Sequence, residues 1–147
     1  MDWCNAGIIR YNTDKSIMKT KMIFKKVSLW LQALLYTGAG INHFINPDSY
    51  IAMIPPYIPF KTEVNMLVGI IELSLGILLI LLKKQRKLVV LGIIMLLIAV
   101  FPAHVYHLQM GGNIPGFDLV IPVWGAWIRI FLQFLLIAWA WSVRKGA

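Results

Sequence analysis

Four long apolar runs occupy most of this 147-residue chain, at residues 27–45, 64–82, 88–108 and 121–143. Each approaches or exceeds the roughly 20 residues that cross a hydrocarbon core of about 30 Å. One such run could be a buried helix of a soluble protein; four in succession leave no room for a soluble domain around them. An apolar content of 59% and a mean hydropathy of +0.74 say the same. The expected fold is therefore all-α: an integral membrane four-helix bundle with both termini inside and a short proline-rich interfacial segment between helices 1 and 2. Residues 22–147 form one membrane domain in this reading.

The net charge of +8 would suggest nucleic acid in a soluble protein, but its placement here points to a membrane and to no nucleic acid. Arg10, Lys15, Lys19, Lys21, Lys25 and Lys26 precede the first run. Lys83, Lys84, Arg86 and Lys87 fill the link between the second and third, and Arg144 and Lys145 follow the fourth. The other two links carry only Lys61. This alternation follows the positive-inside rule. It puts the termini and the 83–87 turn on the cytoplasmic side, in the inner membrane of a bacterium, and the links at 46–63 and 109–120 outside. Trp30, Trp139 and Trp141 then mark the inner interface, and Tyr50, Tyr57, Tyr106, Trp124 and Trp127 the outer one.

Cys4 is the only cysteine, so an internal disulfide or a thiol couple within the membrane is excluded. Residues 1–21 are polar, mixed in charge and without a clear period, and are expected to be disordered or weakly helical. The long apolar run that follows lacks a small-residue cleavage site, unlike a signal peptide. Met18 and Met22 are alternative starts to Met1.

The 46–63 link reads NPDSYIAMIPPYIPFKTE. Asn46 is placed to cap a helix with Pro47 at its first position. That helix can run through Met53 and must stop before Pro55 and Pro56. The link is too apolar for a free aqueous loop, which leaves two readings: a lid over the bundle mouth, or a membrane-surface anchor. After the third run, Gly111 and Gly112 open a turn, and Asp118 reads as a solvated or capping acid.

Polar residues inside the runs fall on helical stripes. Gln32, Tyr36, Gly40 and His43 share one face of the first run; Asn65, Gly69, Glu72 and Gly76 share one face of the second; Gly125, Arg129 and Gln133 do so in the fourth. Small residues beside polar ones mark helix contacts in lipid. An ionisable group near the bilayer centre costs about 2.5–3.5 kcal/mol on insertion scales. Glu72 and Arg129, at similar depth, therefore read either as a buried ion pair that sets helix register or as the charged floor of a ligand or proton site. His43, His104 and His107 lie nearer the outer mouth. They read as interfacial histidines bonded to backbone or water, or as ligand-binding or proton-transferring groups. A His–x–x–His pair alone is a poor metal or haem signal, and no metal is expected.

The stretches GAGINHFINP at residues 38–47, VGIIELSLGILLIL at 68–81, VFPAHVYHLQ at 100–109 and WIRIFLQFLLIAWAW at 127–141 resemble DoxX-like membrane proteins. The resemblance covers residues 21–145. It implies a four-helix membrane bundle, a link to membrane redox chemistry, and a polar core carried by His43, Glu72, His104 and Arg129.

Two functions follow as expectations. The first is a quinone- or small-amphiphile-binding subunit of a membrane redox system. Tyr36, His43, Glu72, His104, His107, Trp127, Arg129 and Gln133 form its polar core, a quinone is its candidate cofactor, and a membrane or peripheral redox partner supplies electrons. The second is an assembly or stabilising partner of another membrane protein, with a purely structural core. An oligomer is compatible with both, and whether the chain is itself an enzyme is left open.

Overall fold

Length and periodicity translate directly into helices. In a computed structural model, which describes residues 2–112 and 122–144 and their side chains from residue 13 onward, the chain is all-helical, with no strand among the described residues. The elements are α1 (Asp2–Ile45), α2 (Pro47–Ile51), α3 (Lys61–Leu81), α4 (Arg86–Gln109) and α5 (Val123–Ser142). Expectations for Cys4, Arg10, Asp118, Lys145 and the rest of residues 113–121 fall outside this description.

Helices α3, α4 and α5, of 21, 24 and 20 residues, are each long and apolar enough to cross a membrane. At about 1.5 Å per residue each matches a core of roughly 30 Å. α1 carries the fourth apolar run, but Gln32, Asn42 and His43 dilute it and a basic stretch precedes it. The tail expected to be disordered or weakly helical is continuous with α1, which begins at Asp2. No Gly or Pro interrupts residues 8–37, and extending an existing helix costs far less than nucleating one.

The burial pattern is inverted relative to a soluble bundle. Gln32, His43, Asn65, His107 and Gln133 are buried, while Leu34, Phe44, Leu67, Ile70, Phe131 and Leu135 are exposed. Such apolar outer faces suit a lipid surround, and the polar groups turned inward avoid it. α1 packs chiefly on α3, α3 on α4, and α4 on α5. α5 returns to α1 through two hydrogen bonds at the basic end: Gln32 Nε2 donates to the Trp139 carbonyl (2.9 Å) and Trp139 Nε1 donates to Ser28 Oγ (2.7 Å). An apolar cluster of Leu29, Ala33, Leu79, Val90, Ile93 and Ala140 fills this half of the bundle.

Glycine sets the α1–α3 spacing. A Cβ on Gly40 would lie 2.5 Å from the Leu73 nitrogen, and one on Gly76 would lie 2.7 Å from the Thr37 nitrogen. Only residues without a side chain allow the two backbones so close.

The ends follow local chemistry. α4 closes in a Schellman arrangement: Gly112 N–H donates to the His107 carbonyl (3.1 Å) and Gly111 N–H to that of Leu108 (3.0 Å), with both glycines at positive φ. Asn46 does not cap α2 as expected. Its Nδ2 donates instead to Asn42 Oδ1 at 2.7 Å. α2 also stops at Ile51, short of Met53, and residues 52–54 continue as turns closed by local bonds. Ile54 and Pro55 are buried whereas Tyr57 and Phe60 are largely exposed, so one segment both covers the bundle and faces its surroundings.

Candidate functional site

The C-terminal parts of α1 and α4 and the N-terminal part of α3 meet at the end of the bundle away from the 83–87 turn, with Gln133 and Leu136 from the middle of α5. Between them lies a cavity of about 340 Å³, roofed by Met53, Ile54, Pro55 and Ile58. Most of its wall is aliphatic, from Leu35, Val64, Val68, Leu96, Leu97 and Val100 among others. Tyr36, His43, Tyr50, Asn65, Glu72, His104 and Gln133 interrupt it with polar atoms. An apolar cavity of this size with a few convergent polar groups has the make-up of a small-molecule site.

His43 is the best-anchored of these groups. It sits in the last turn of α1, where backbone carbonyls lack helical partners. Asn65 Nδ2 donates to the His43 carbonyl at 3.1 Å, and Asn65 Oδ1 lies 2.7 Å from His43 Nδ1. Because the amide nitrogen is committed as a donor, the amide oxygen must accept, so His43 Nδ1 carries the proton. His43 Nε2 then faces Glu72 Oε2 at 3.4 Å. Tyr50 stacks on the imidazole with ring centres 3.8 Å apart, and its hydroxyl accepts from Asn42 Nδ2 at 2.7 Å. Three residues thus hold one imidazole, and α2 is tied to the site through one of them, Tyr50.

Tyr36 is the opposite case. It is 1% exposed, lines the cavity, and its hydroxyl has no hydrogen-bond partner among the described residues. An unmade buried hydrogen bond costs about 1–3 kcal/mol, so the hydroxyl awaits a partner from within the cavity. Tyr36→Phe is accordingly expected to leave ligand-free protein as stable as the parent, or more stable by about 1 kcal/mol, while weakening any ligand that fills the cavity. Thermal unfolding in detergent with and without ligand checks this.

The expected polar core is gathered only in part. Tyr36, His43, Glu72, His104 and Gln133 line the cavity; His107, Trp127 and Arg129 do not. Glu72 and Arg129, read as a pair from their depth, take other partners: Glu72 meets His43, and Arg129 Nη1 donates to Met53 Sδ at 3.2 Å. The reason is topological, since α3 and α5 do not pack on one another. Equal depth on helices that are not neighbours brings no contact. His107 is fully buried and its Nε2–H donates to the Gly112 carbonyl at 3.0 Å, which supports the α4 terminus. Trp127 is half exposed. Gln133 Nε2 donates to the Leu97 carbonyl at 2.7 Å and clips α5 to α4 in the cavity wall.

Asn65 was the residue to find. It lies on the same stripe as Glu72, and its amide can satisfy a helix-end carbonyl and an imidazole together. Tyr50 reads from sequence only as an interfacial aromatic; its stacking depends on how α2 folds back.

A family model described as a domain of unknown function, DUF8561, matches residues 31–144. The match takes in the whole cavity lining. No curated protein and no solved structure matches the chain.

Proposed function

The chain belongs to the family of the domain of unknown function DUF8561, and for it we propose a four-span membrane protein that binds a small amphiphile in the outer half of its bundle. α1 is the fourth span in this reading, and both termini are cytoplasmic. The alternation of Lys and Arg between the two ends of the bundle supports that orientation, with the bacterial inner membrane as the location. The observation that carries the binding reading is the Tyr36 hydroxyl, buried, without a hydrogen-bond partner among the described residues, and set in the wall of an apolar cavity that Glu72 and His43 also line.

A quinone is the first candidate, because a planar ring with carbonyl oxygens matches aliphatic walls with isolated donors, and the DoxX-like resemblance points the same way. The chain then acts as the quinone-side subunit of a membrane redox system whose partner supplies the electrons. Titrating the purified protein with decyl-ubiquinone tests this by thermal shift in detergent. Binding raises the unfolding temperature of the parent, and Glu72→Gln, still folded, responds less. A parent protein that does not respond sends the reading to an assembly or stabilising partner, with crosslinking in membranes as the way to its client.

A further inference from the structure

The hydrogen bonds around His43 determine more than its position. Asn65 commits the Nδ1 proton, so a neutral His43 presents the bare lone pair of Nε2 toward Glu72. An ionised Glu72 at 3.4 Å would present lone pairs in return, and two acceptors facing each other in an apolar wall are strongly disfavoured. One further proton removes the conflict. It makes either an imidazolium beside a carboxylate or an imidazole beside a carboxylic acid. In both forms the pair has no net charge.

We infer that His43 and Glu72 jointly hold one proton, and that the electroneutral wall they make with Tyr36 selects a neutral amphiphile with a hydroxyl or carbonyl head over an anionic one. This rests on the cavity being a ligand site and names the ligand class. The groups that face the pair agree. Tyr36 from α1 offers a hydroxyl that has no partner among the described residues, Tyr50 from α2 offers a ring face, and Asn65 is already committed. The one other titratable residue of the lining is His104 on α4; Arg129 is not part of the wall and lies behind the roof, where its Nη1 donates to Met53 Sδ. A carboxylate or phosphate head would lose its hydration in an apolar wall that carries no cation of its own, with Arg129 screened from it by the Met53 side chain. A phenol, quinol or quinone head loses little, and can accept from Tyr36.

The test has two arms on the full chain in detergent. In the first, ¹³C,¹⁵N-labelled histidine is observed by NMR, with His43→Ala used to assign the signal. Near neutral pH the His43 ring is expected to be imidazolium, or the neutral Nδ1–H tautomer with the Glu72 carboxyl protonated by infrared spectroscopy. A neutral Nε2–H tautomer, or a neutral ring beside an ionised Glu72, overturns the shared proton. In the second, 4-nonylphenol and decanoate are compared as probes. Nonylphenol is expected to bind more tightly by about tenfold or more and to shift the His43 signal, an effect that Tyr36→Phe reduces. Decanoate binding as tightly overturns the selectivity while leaving the cavity a ligand site. If neither probe binds, the ligand reading itself falls.

Discussion

Gly40→Ala is expected to destabilise the protein by about 3 kcal/mol, whereas Gly38→Ala, two residues earlier on the same helix, is neutral or stabilising by up to about 1 kcal/mol. The two substitutions add the same methyl group to α1. At Gly40 it would meet the Leu73 nitrogen at 2.5 Å and the Gly69 carbonyl oxygen at 2.9 Å; at Gly38 it meets nothing within 4 Å. Both obstacles at Gly40 are backbone atoms, so no side chain can rotate away and the helices must part. Parting α1 from α3 also separates His43 from Asn65 and Glu72, which lie across the same seam. Paired thermal unfolding curves in one detergent check the difference. Equal effects at the two positions would mean that the seam is loose.

His43→Ala carries the largest expected effect on binding, a loss of about a hundredfold or more. The side chain is stacked by Tyr50, bonded by Asn65 and paired with Glu72, so its removal frees three cavity groups at once. Glu72 keeps no ionic partner among the described residues and stays in the wall as a neutral acid or a costly unpaired charge. Arg129→Ala is the contrast. Although Arg129 resembles Glu72 in depth, its guanidinium reaches Met53 and not the cavity. It should alter binding by no more than a few-fold, through the roof. Binding titrations of the two variants with one ligand separate a site built around His43 from one built around Arg129.

The contrast also shows what was legible in the residues alone. Run length set the helices well: the runs at 64–82 and 88–108 became α3 at Lys61–Leu81 and α4 at Arg86–Gln109, because apolar length in such a chain is dictated by bilayer thickness. Stripe periodicity put Tyr36 and His43 on one face of α1 and Asn65 and Glu72 on one face of α3, and those faces meet. What counting residues cannot supply is adjacency. Depth along a span follows from rise per residue, but whether Glu72 reaches Arg129 or His43 depends on which helices are neighbours. His107 illustrates a second gap. Its spacing from His104 places both on one side of α4, yet the helix-ending turn at Gly111–Gly112 offers a carbonyl that claims its ring. The proline segment was legible as apolar and broken, while its contribution of Met53, Ile54 and Pro55 to the cavity roof depends on the chain path after Ile51.

The inverted burial pattern and the cavity belong to one physical account. In lipid, polar side chains gain most by turning inward, and here they turn toward one space. Most find partners inside the protein: Asn65 with His43, Gln133 with the Leu97 carbonyl, Asn42 with Tyr50. The Tyr36 hydroxyl finds none among the described residues, and a ligand oxygen is the partner that would complete it.

The most direct measurement is mass spectrometry of the small molecules extracted from the chain after purification in mild detergent, with His43→Ala and Tyr36→Phe prepared in parallel. The account predicts one neutral hydroxyl- or carbonyl-bearing amphiphile at near-stoichiometric amount in the parent, lost from His43→Ala and reduced in Tyr36→Phe. An extract containing only bulk lipid, the same for parent and both variants, would contradict it.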